Sequence, residues 1–511
     1  MAATSHPLST NAALETLRKG GNAIDAAIAA SAVQAVVEPQ STGIGGDCFA
    51  LLCLGGSDDV IAFNGSGRAP QGATLEAYRA MGLEAVPKRG AHAVTIPGAI
   101  DGWCTLLADH GRLGMADVLA PAIHYAEAGH VVHDRVAVDW ADTAGDLAAD
   151  PVSARIFLPD GCAPRAGDVH RQPELAQTLR RIAERGRTGF YEGPVAEDLV
   201  SRLRELGGVH TLDDFAATKG DYVTPISADY RGLRVHQVPP NNQGLTALVM
   251  LNLMAGHEFG ALDPIGADKL HLEIEAGRLA FRERNARIAD PEAAAGVVKQ
   301  LLSPAFTAEL AAEIDPARAM RTLPDPELER SDTVYISVVD EDRNAVSFIN
   351  STYFAFGSAV TGQESGVVLQ NRGFSFRLDP AHPNCIGPGK RPLHTIMPGM
   401  ATRDGRAVMP FGVMGGDYQP FGQVHVLTNM LDHGMDIQEA IDCPRVFYEN
   451  NAVVAETGVP EVTVQALRDK GHTVVAATEP LGGAQAIWID WDAGTLTGGS
   501  DPRKDGLALG Y

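Results

Sequence analysis

The residue best placed to do chemistry is Thr333, in Ser331-Asp332-Thr333-Val334-Tyr335-Ile336-Ser337-Val338-Val339-Asp340. Val334, Ile336 and Val338 alternate with Thr333, Tyr335 and Ser337, the two-residue period of a strand. Just upstream, residues 323–330 are acidic and proline-containing, the composition of an exposed linker. A linker that delivers a threonine to the head of a strand is a place where cleavage would free it as a new N-terminus. Its hydroxyl would then be a nucleophile, and its own α-amine, titrating at about pH 8, the base. A lysine, at about 10.4, would need a large downward shift to take that proton.

The elements that must position this threonine follow from pattern. Glu341-Asp342-Arg343-Asn344 reads as a turn, and 345–356 as a second strand beside the first. Near the start, 8–20 reads as a short helix stopped by Gly20-Gly21, and Asn22 as the N-cap of an almost wholly apolar helix, 23–37. Thr42-Gly43-Ile44-Gly45-Gly46-Asp47 lacks the Gly-x-Gly-x-x-Gly spacing of a dinucleotide loop, so its glycines are expected to let one backbone pass close to another. Strands are expected at 49–54 and 60–63, joined as a hairpin. Helical patterns then dominate to about residue 320, at 116–129, 174–185, 194–206, 244–254 and 267–289. One strand signal interrupts them at 233–238, followed by Pro239-Pro240-Asn241-Asn242-Gln243-Gly244, expected to expose its backbone. After Thr333 the chain is strand-rich, with helices expected at 423–433 and 461–470.

At 511 residues, with 45% hydrophobic and 21% charged content, the chain can bury a large core. Its net charge of −23 argues against nucleic acid and anionic membrane surfaces as partners, which need a basic footprint. No apolar run is long and unbroken enough to span a bilayer. The six cysteines, Cys48, Cys53, Cys104, Cys162, Cys385 and Cys443, show no Cys-x-x-Cys pair or zinc spacing and read as reduced, mostly buried thiols. With no phosphate loop and no Gly-x-Ser-x-Gly elbow, neither metal nor cofactor is expected.

Thr333 to Asp340, Glu364-Ser365-Gly366, Pro388-Gly389-Lys390-Arg391-Pro392, Gly415-Gly416 and Ser500-Asp501-Pro502-Arg503 stand in the order found in the gamma-glutamyltranspeptidase family of N-terminal-nucleophile hydrolases. Gly20-Gly21-Asn22-Ala23-Ile24-Asp25-Ala26-Ala27 and Pro97-Gly98 extend the likeness into the first half, so the chain resembles that family over nearly its whole length. The resemblance implies an α+β fold, a four-layer αββα sandwich. It also implies self-cleavage between Asp332 and Thr333, leaving a large subunit, 1–332, intertwined in one domain with a small subunit, 333–511. Catalysis would be acyl transfer: Thr333 attacks a small-molecule amide, and water or an acceptor amine resolves the acyl-enzyme. Ser351 falls on the family's second hydroxyl position, Gly415 and Gly416 on its oxyanion-hole glycines, and Tyr353 where the family has Asn.

Substrate binding is where the sequence departs from the family. His394-Thr395 stands where the family has a Ser-Ser pair for the substrate's α-carboxylate, and Ser375 near where it has the Asp for the α-amine. Arg68 is the one arginine near the family's carboxylate-binding position, several residues off register. A pocket without that acid loses its partner for an ammonium group, whereas Arg372 and His394, flanked by Asn371 and Thr395, would still receive a carboxylate. The expected activity is therefore hydrolysis of γ-glutamyl compounds, as in a glutathione hydrolase, or of a related small acid amide. The alternatives are an oxamate-type amidohydrolase or cephalosporin-type acylase without γ-glutamyl activity, and an uncleaved, non-catalytic relative. Some members of the family carry a leader, and the lack of one here suggests the cytoplasm. Whether processed heterodimers assemble into a homo-oligomer is left open.

Overall fold

The computed structural model describes residues 1–321 and 333–511; the linker 323–330 and Asp332 lie outside the described residues. Two antiparallel sheets form the centre. The first runs Leu507–Leu509, Ala2–Thr4, Val334–Val339, Ala345–Ser351, Asp47–Cys53, Val60–Gly65, Asp221–Val223. The second runs Thr495–Ser500, Gly483–Asp490, Arg406–Met414, Gly399–Arg403, Leu233–Gln237, Ile226–Tyr230.

The strand period sorts side chains between layers. Tyr335 and Ile349 point between the sheets, where they meet Phe49, Met400, Met414 and Ile487. Ile336, Val338, Val346 and Phe348 point the other way, into a helical layer built on Ala23–Val37. Every residue of that helix is buried, and Asn22 and Asp25 close its first turn as a capping box. Gly244–Met254, Ala267–Arg287 and Gln419–His433 cover the outer face of the second sheet. The αββα sandwich expected above is the fold observed.

Three local differences bear on the site. The second strand of the nucleophile hairpin ends at Ser351 and does not run on to 356, because Ser351 Oγ accepts the Tyr353 N–H at 2.8 Å and Tyr353 turns to φ 84°. Asp221–Val223 and Ile226–Tyr230 are strands that the helical reading passed over, each too short to carry a clear period. The 239–244 loop is buried rather than exposed. Its side-chain amides do the work of solvent: Asn241 donates to Pro392 O, Asn242 to Ile396 O, and Gln243 to Thr395 O. The glycine turn behaves as expected, since a Cβ on Gly45 would lie 2.1 Å from Val368 O and one on Gly46 2.3 Å from Ser351 O. Among the described residues no helix is long and apolar enough to cross a membrane.

Candidate active site

Thr333 stands immediately ahead of Val334–Val339 and is buried. Strand parity places it on the same face as Tyr335, between the sheets, and places Ser351 there too, with Ile349. Thr333 Oγ1 lies 3.2 Å from Ser351 Oγ. Two hydroxyls in hydrogen-bond contact at the head of a buried strand are the arrangement that a threonine nucleophile with a second hydroxyl beside it requires.

From Ser351 a chain of contacts leads to Arg372. The Ser351 hydroxyl holds the Tyr353 N–H, and the Arg372 guanidinium lies over the Tyr353 ring, 3.8 Å from its centroid. Arg372 is fully buried. Its Nη1 donates to Thr395 Oγ1 at 2.7 Å, while Nε and Nη2 meet no acceptor among the described residues. Burial pulls its pKa down to about 10, which leaves it charged at neutral pH. A buried cation with two donors unused, in a fork that fits a carboxylate, is costly unless an anion comes to it. Burial pushes the Tyr353 phenol up to about 12, so it stays neutral beside that cation.

Gly415 and Gly416 follow Arg406–Met414 with φ of 117° and 59°. A Cβ on Gly415 would sit 2.9 Å from Gly482 Cα, so backbone approaches backbone there as only glycine permits. Neither amide has an acceptor among the described residues. Gln243 locks this turn to the Arg372 side, donating through Nε2 to both Thr395 O and Gly416 O and accepting Arg284 Nη1 at 2.7 Å on Oε1. Arg284 in turn pairs with Asp417. Two clefts open here: one of about 330 Å³ lined by Tyr353, Ser375, Arg284 and Asp417, the other of about 210 Å³ lined by Phe354, Gly415 and Gly482.

The remaining expected residues fall in different places. His394 is buried, but its Nε2 faces Asp47 Oδ2 at 3.0 Å, and burial, reinforced by Arg372, pushes its pKa down to about 3. A neutral imidazole donating to Asp47 presents a lone pair at Nδ1, so His394 does not serve as the carboxylate receiver expected of it. Arg68 stands apart, with its guanidinium committed at the surface to Asp221 and the Gly389 carbonyl. Asn371 is committed to backbone at both ends of its amide, donating to Lys88 O and accepting the Phe354 N–H. Thr395 positions Arg372. Asp47, Gln243, Arg284 and Asp417 were missed by sequence reasoning, and a carboxylate inside the glycine-rich Gly45-Gly46-Asp47 turn was the one available signal.

Among the described residues, His271, Glu275 and His472 form the cluster whose spacing would suit a metal ion. Those atoms are already engaged with one another and with neighbours: His271 Nδ1 meets His472 Nε2 at 2.8 Å, and Glu275 holds Arg278 at 2.8 Å and the Met320 N–H at 2.7 Å. A guanidinium on the only carboxylate does not suit a cation site.

A family model described as Gamma-glutamyltranspeptidase matches residues 9–511. The chain belongs to that family. Gamma-glutamyltranspeptidases are N-terminal-nucleophile hydrolases, and this one is an enzyme of that class. It is 42% identical over 524 residues to the glutathione hydrolase-like YwrD proenzyme of Bacillus subtilis (strain 168), covering 100% of this chain and 98% of that relative. It is 38% identical over 526 residues to the oxamate amidohydrolase proenzyme of Klebsiella pneumoniae, again covering 100% and 98%. The crystal structure of cephalosporin acylase from Bacillus halodurans superposes with a TM-score of 0.94 at 41% identity, covering 100% of this chain and 96% of that one. Three gamma-glutamyltranspeptidase relatives with three different substrate names mark the substrate as the variable part. Both curated relatives are named as proenzymes, so a precursor form is a shared property of this group.

Proposed function

We propose that the protein cleaves itself between Asp332 and Thr333 and then works as an N-terminal-threonine amidohydrolase on small acid amides. In this reading 1–332 and 333–511 are the two subunits. The Thr333 hydroxyl attacks the amide carbonyl as its proton passes to the new α-amine. Gly415 and Gly416 offer their amides to the oxyanion, and the proton returns to the departing nitrogen. Water, activated by the same α-amine, then hydrolyses the ester. The single observation that carries the substrate class is Arg372, whose two unused donors await a carboxylate.

A glutamyl α-amine would need an acid beside that carboxylate, and the two acids whose charge reaches Arg372, Asp47 and Asp417, are taken. Asp417 is paired with Arg284, and Asp47 holds His394 and three N–H groups. This favours acyl groups without a free ammonium, as the oxamate amidohydrolase relative's name describes, over γ-glutamyl donors. The test is N-terminal sequencing of the smaller fragment followed by an amide panel. A fragment starting at Thr333, with ammonia release from oxamate exceeding turnover of a γ-glutamyl anilide, is the expected result. A faster γ-glutamyl reaction would refute the Arg372 reading.

A further inference from the structure

We propose that Gln243 is a positioning residue that fixes the length of acyl group the enzyme accepts. This rests on the reading of Arg372 as the carboxylate receiver and of Gly415 and Gly416 as the oxyanion donors. An acid amide held at both ends must span the distance between those receivers. They lie on separate segments, the Arg372–Ser375 turn and the end of Arg406–Met414, so side chains must set that distance. Gln243 is fully buried and reaches both. Its backbone N–H donates to His394 O at 2.9 Å and its side-chain Nε2 to Thr395 O, a grip on two successive carbonyls. The Thr395 hydroxyl is the group that accepts Arg372 Nη1, at 2.7 Å. The same Nε2 donates to Gly416 O at 3.0 Å. Two carbonyl oxygens on one nitrogen lie no more than about 6 Å apart.

The amide cannot turn over in its place, because Arg284 Nη1 donates to Oε1 at 2.7 Å. Arg284 also pairs with Asp417. Hydrogen bonds therefore run from Gly416 O through Gln243 and Arg284 to Asp417, the next residue, and close a ring around the oxyanion turn. Gly416, at φ 59°, has no side chain of its own to anchor it. Gln243 stands at the N-cap of Gly244–Met254, yet its side chain makes no capping bond to that helix. Glutamine is a poor cap and a good strut: its two donors and its acceptor are used here on three separate segments. Gln243→Met keeps the length and removes the amide. Gly416 O would still hold the Gln419 N–H, and Arg284 would still hold Asp417, so this variant is expected to fold and to free Thr333.

The test measures kcat and KM of processed protein on the monoamides of straight-chain dicarboxylic acids of two to five carbons. In the wild type, kcat/KM for the two- or three-carbon amide should exceed that for the five-carbon amide by about 100-fold, the effect of a carbonyl misplaced by about 1 Å. In Gln243→Met that ratio should fall about tenfold, through kcat of the short amides, with KM changed less than about threefold. Arg284→Lys keeps a cation for Asp417 but a looser hold on Oε1, and should lower the ratio about threefold. A residue that only supports the fold would lower every length alike. A flat wild-type profile, a ratio that Gln243→Met does not move, or a uniform fall at all lengths overturns the proposal while leaving Arg372 as the receiver. So does failure of both variants to free Thr333, since a strut for acyl length leaves maturation intact. Wild-type protein that turns over no acid amide sinks the Arg372 reading, and this proposal with it.

Discussion

Asp47 Oδ2 and His394 Nε2 are 3.0 Å apart although 347 residues separate them in the chain. The other oxygen of Asp47 accepts the N–H groups of Gly67 and Gly98 and the side-chain amide of Gln370, at 2.8, 3.0 and 2.9 Å. One buried carboxylate thus ties together four segments around the strand that pairs with Ser351. Asp47→Asn would point an NH2 at one of these donors, and should cost roughly 3 kcal/mol of unfolding free energy. Denaturant melts check this; an unchanged midpoint would show the four donors to be satisfied without the charge.

Thr333→Ala removes the hydroxyl that both self-cleavage and turnover need. The variant should run on a denaturing gel as one 53.9 kDa chain and hydrolyse no amide. Wild-type protein should give pieces of roughly two-thirds and one-third of that mass. A variant that still splits at residue 332 would move the nucleophile elsewhere.

Gly415→Ala puts a methyl group 2.9 Å from Gly482 Cα at a φ of 117°, so the turn must shift and its amides with it. Loss of one aimed donor lowers kcat by about 100-fold to 1,000-fold, with a smaller change in KM. A variant that keeps full kcat while its structure shifts would remove Gly415 from the oxyanion site.

Arg372→Met separates binding from stability. The wild-type guanidinium is fully buried with two donors unused, so its replacement by an apolar side chain should leave the melting temperature unchanged or raise it. Turnover of a carboxylate-bearing amide should fall by at least about 100-fold in kcat/KM, with two charge-assisted hydrogen bonds gone. A sharp loss of stability with little loss of turnover would make Arg372 structural.

Burial pushes His130 and His394 down to about 3, and His170, His210, His236 and His472 to about 4. In the unfolded chain each titrates at about 6.5. Between those values the unfolded state binds more protons, so the stability these groups contribute is complete above about pH 6.5 and is lost as pH falls toward 4. Glu38 works the other way: burial raises it to about 7, so protonation favours the folded state as pH falls from 7 toward 4.5. Six groups oppose one. Thermal melts should show stability declining between about pH 6.5 and pH 4.5, and a flat profile would contradict the burial of these rings.

Much of the architecture was legible in the sequence where period and cap agree. Asn22 ahead of an unbroken apolar run predicted the helix that forms, and Gly244–Met254 has the bounds its pattern implied. The site divided along a physical line. Thr333 was legible as the head of a strand behind a linker, whereas Ser351, Gly415 and Gly416 were reached through the family resemblance, at positions held by strand parity and backbone conformation. Asp47, Gln243 and the true partners of His394 depend on pairings across hundreds of residues, and nothing local to Gly46-Asp47 or Asn242-Gln243 announces which carbonyl or imidazole will arrive. The 239–244 loop misled for the same reason, because asparagine and glutamine suit both water and a buried backbone.

Ala2–Thr4 lies between Val334–Val339 and Leu507–Leu509, hydrogen-bonded to both. A chain opened ahead of Thr333 would therefore keep its first residues wedged between two strands that both come from the far side of the break. Dilution cannot separate two such pieces; they come apart only when the whole molecule melts, and each would lack half of its own ladder if made alone.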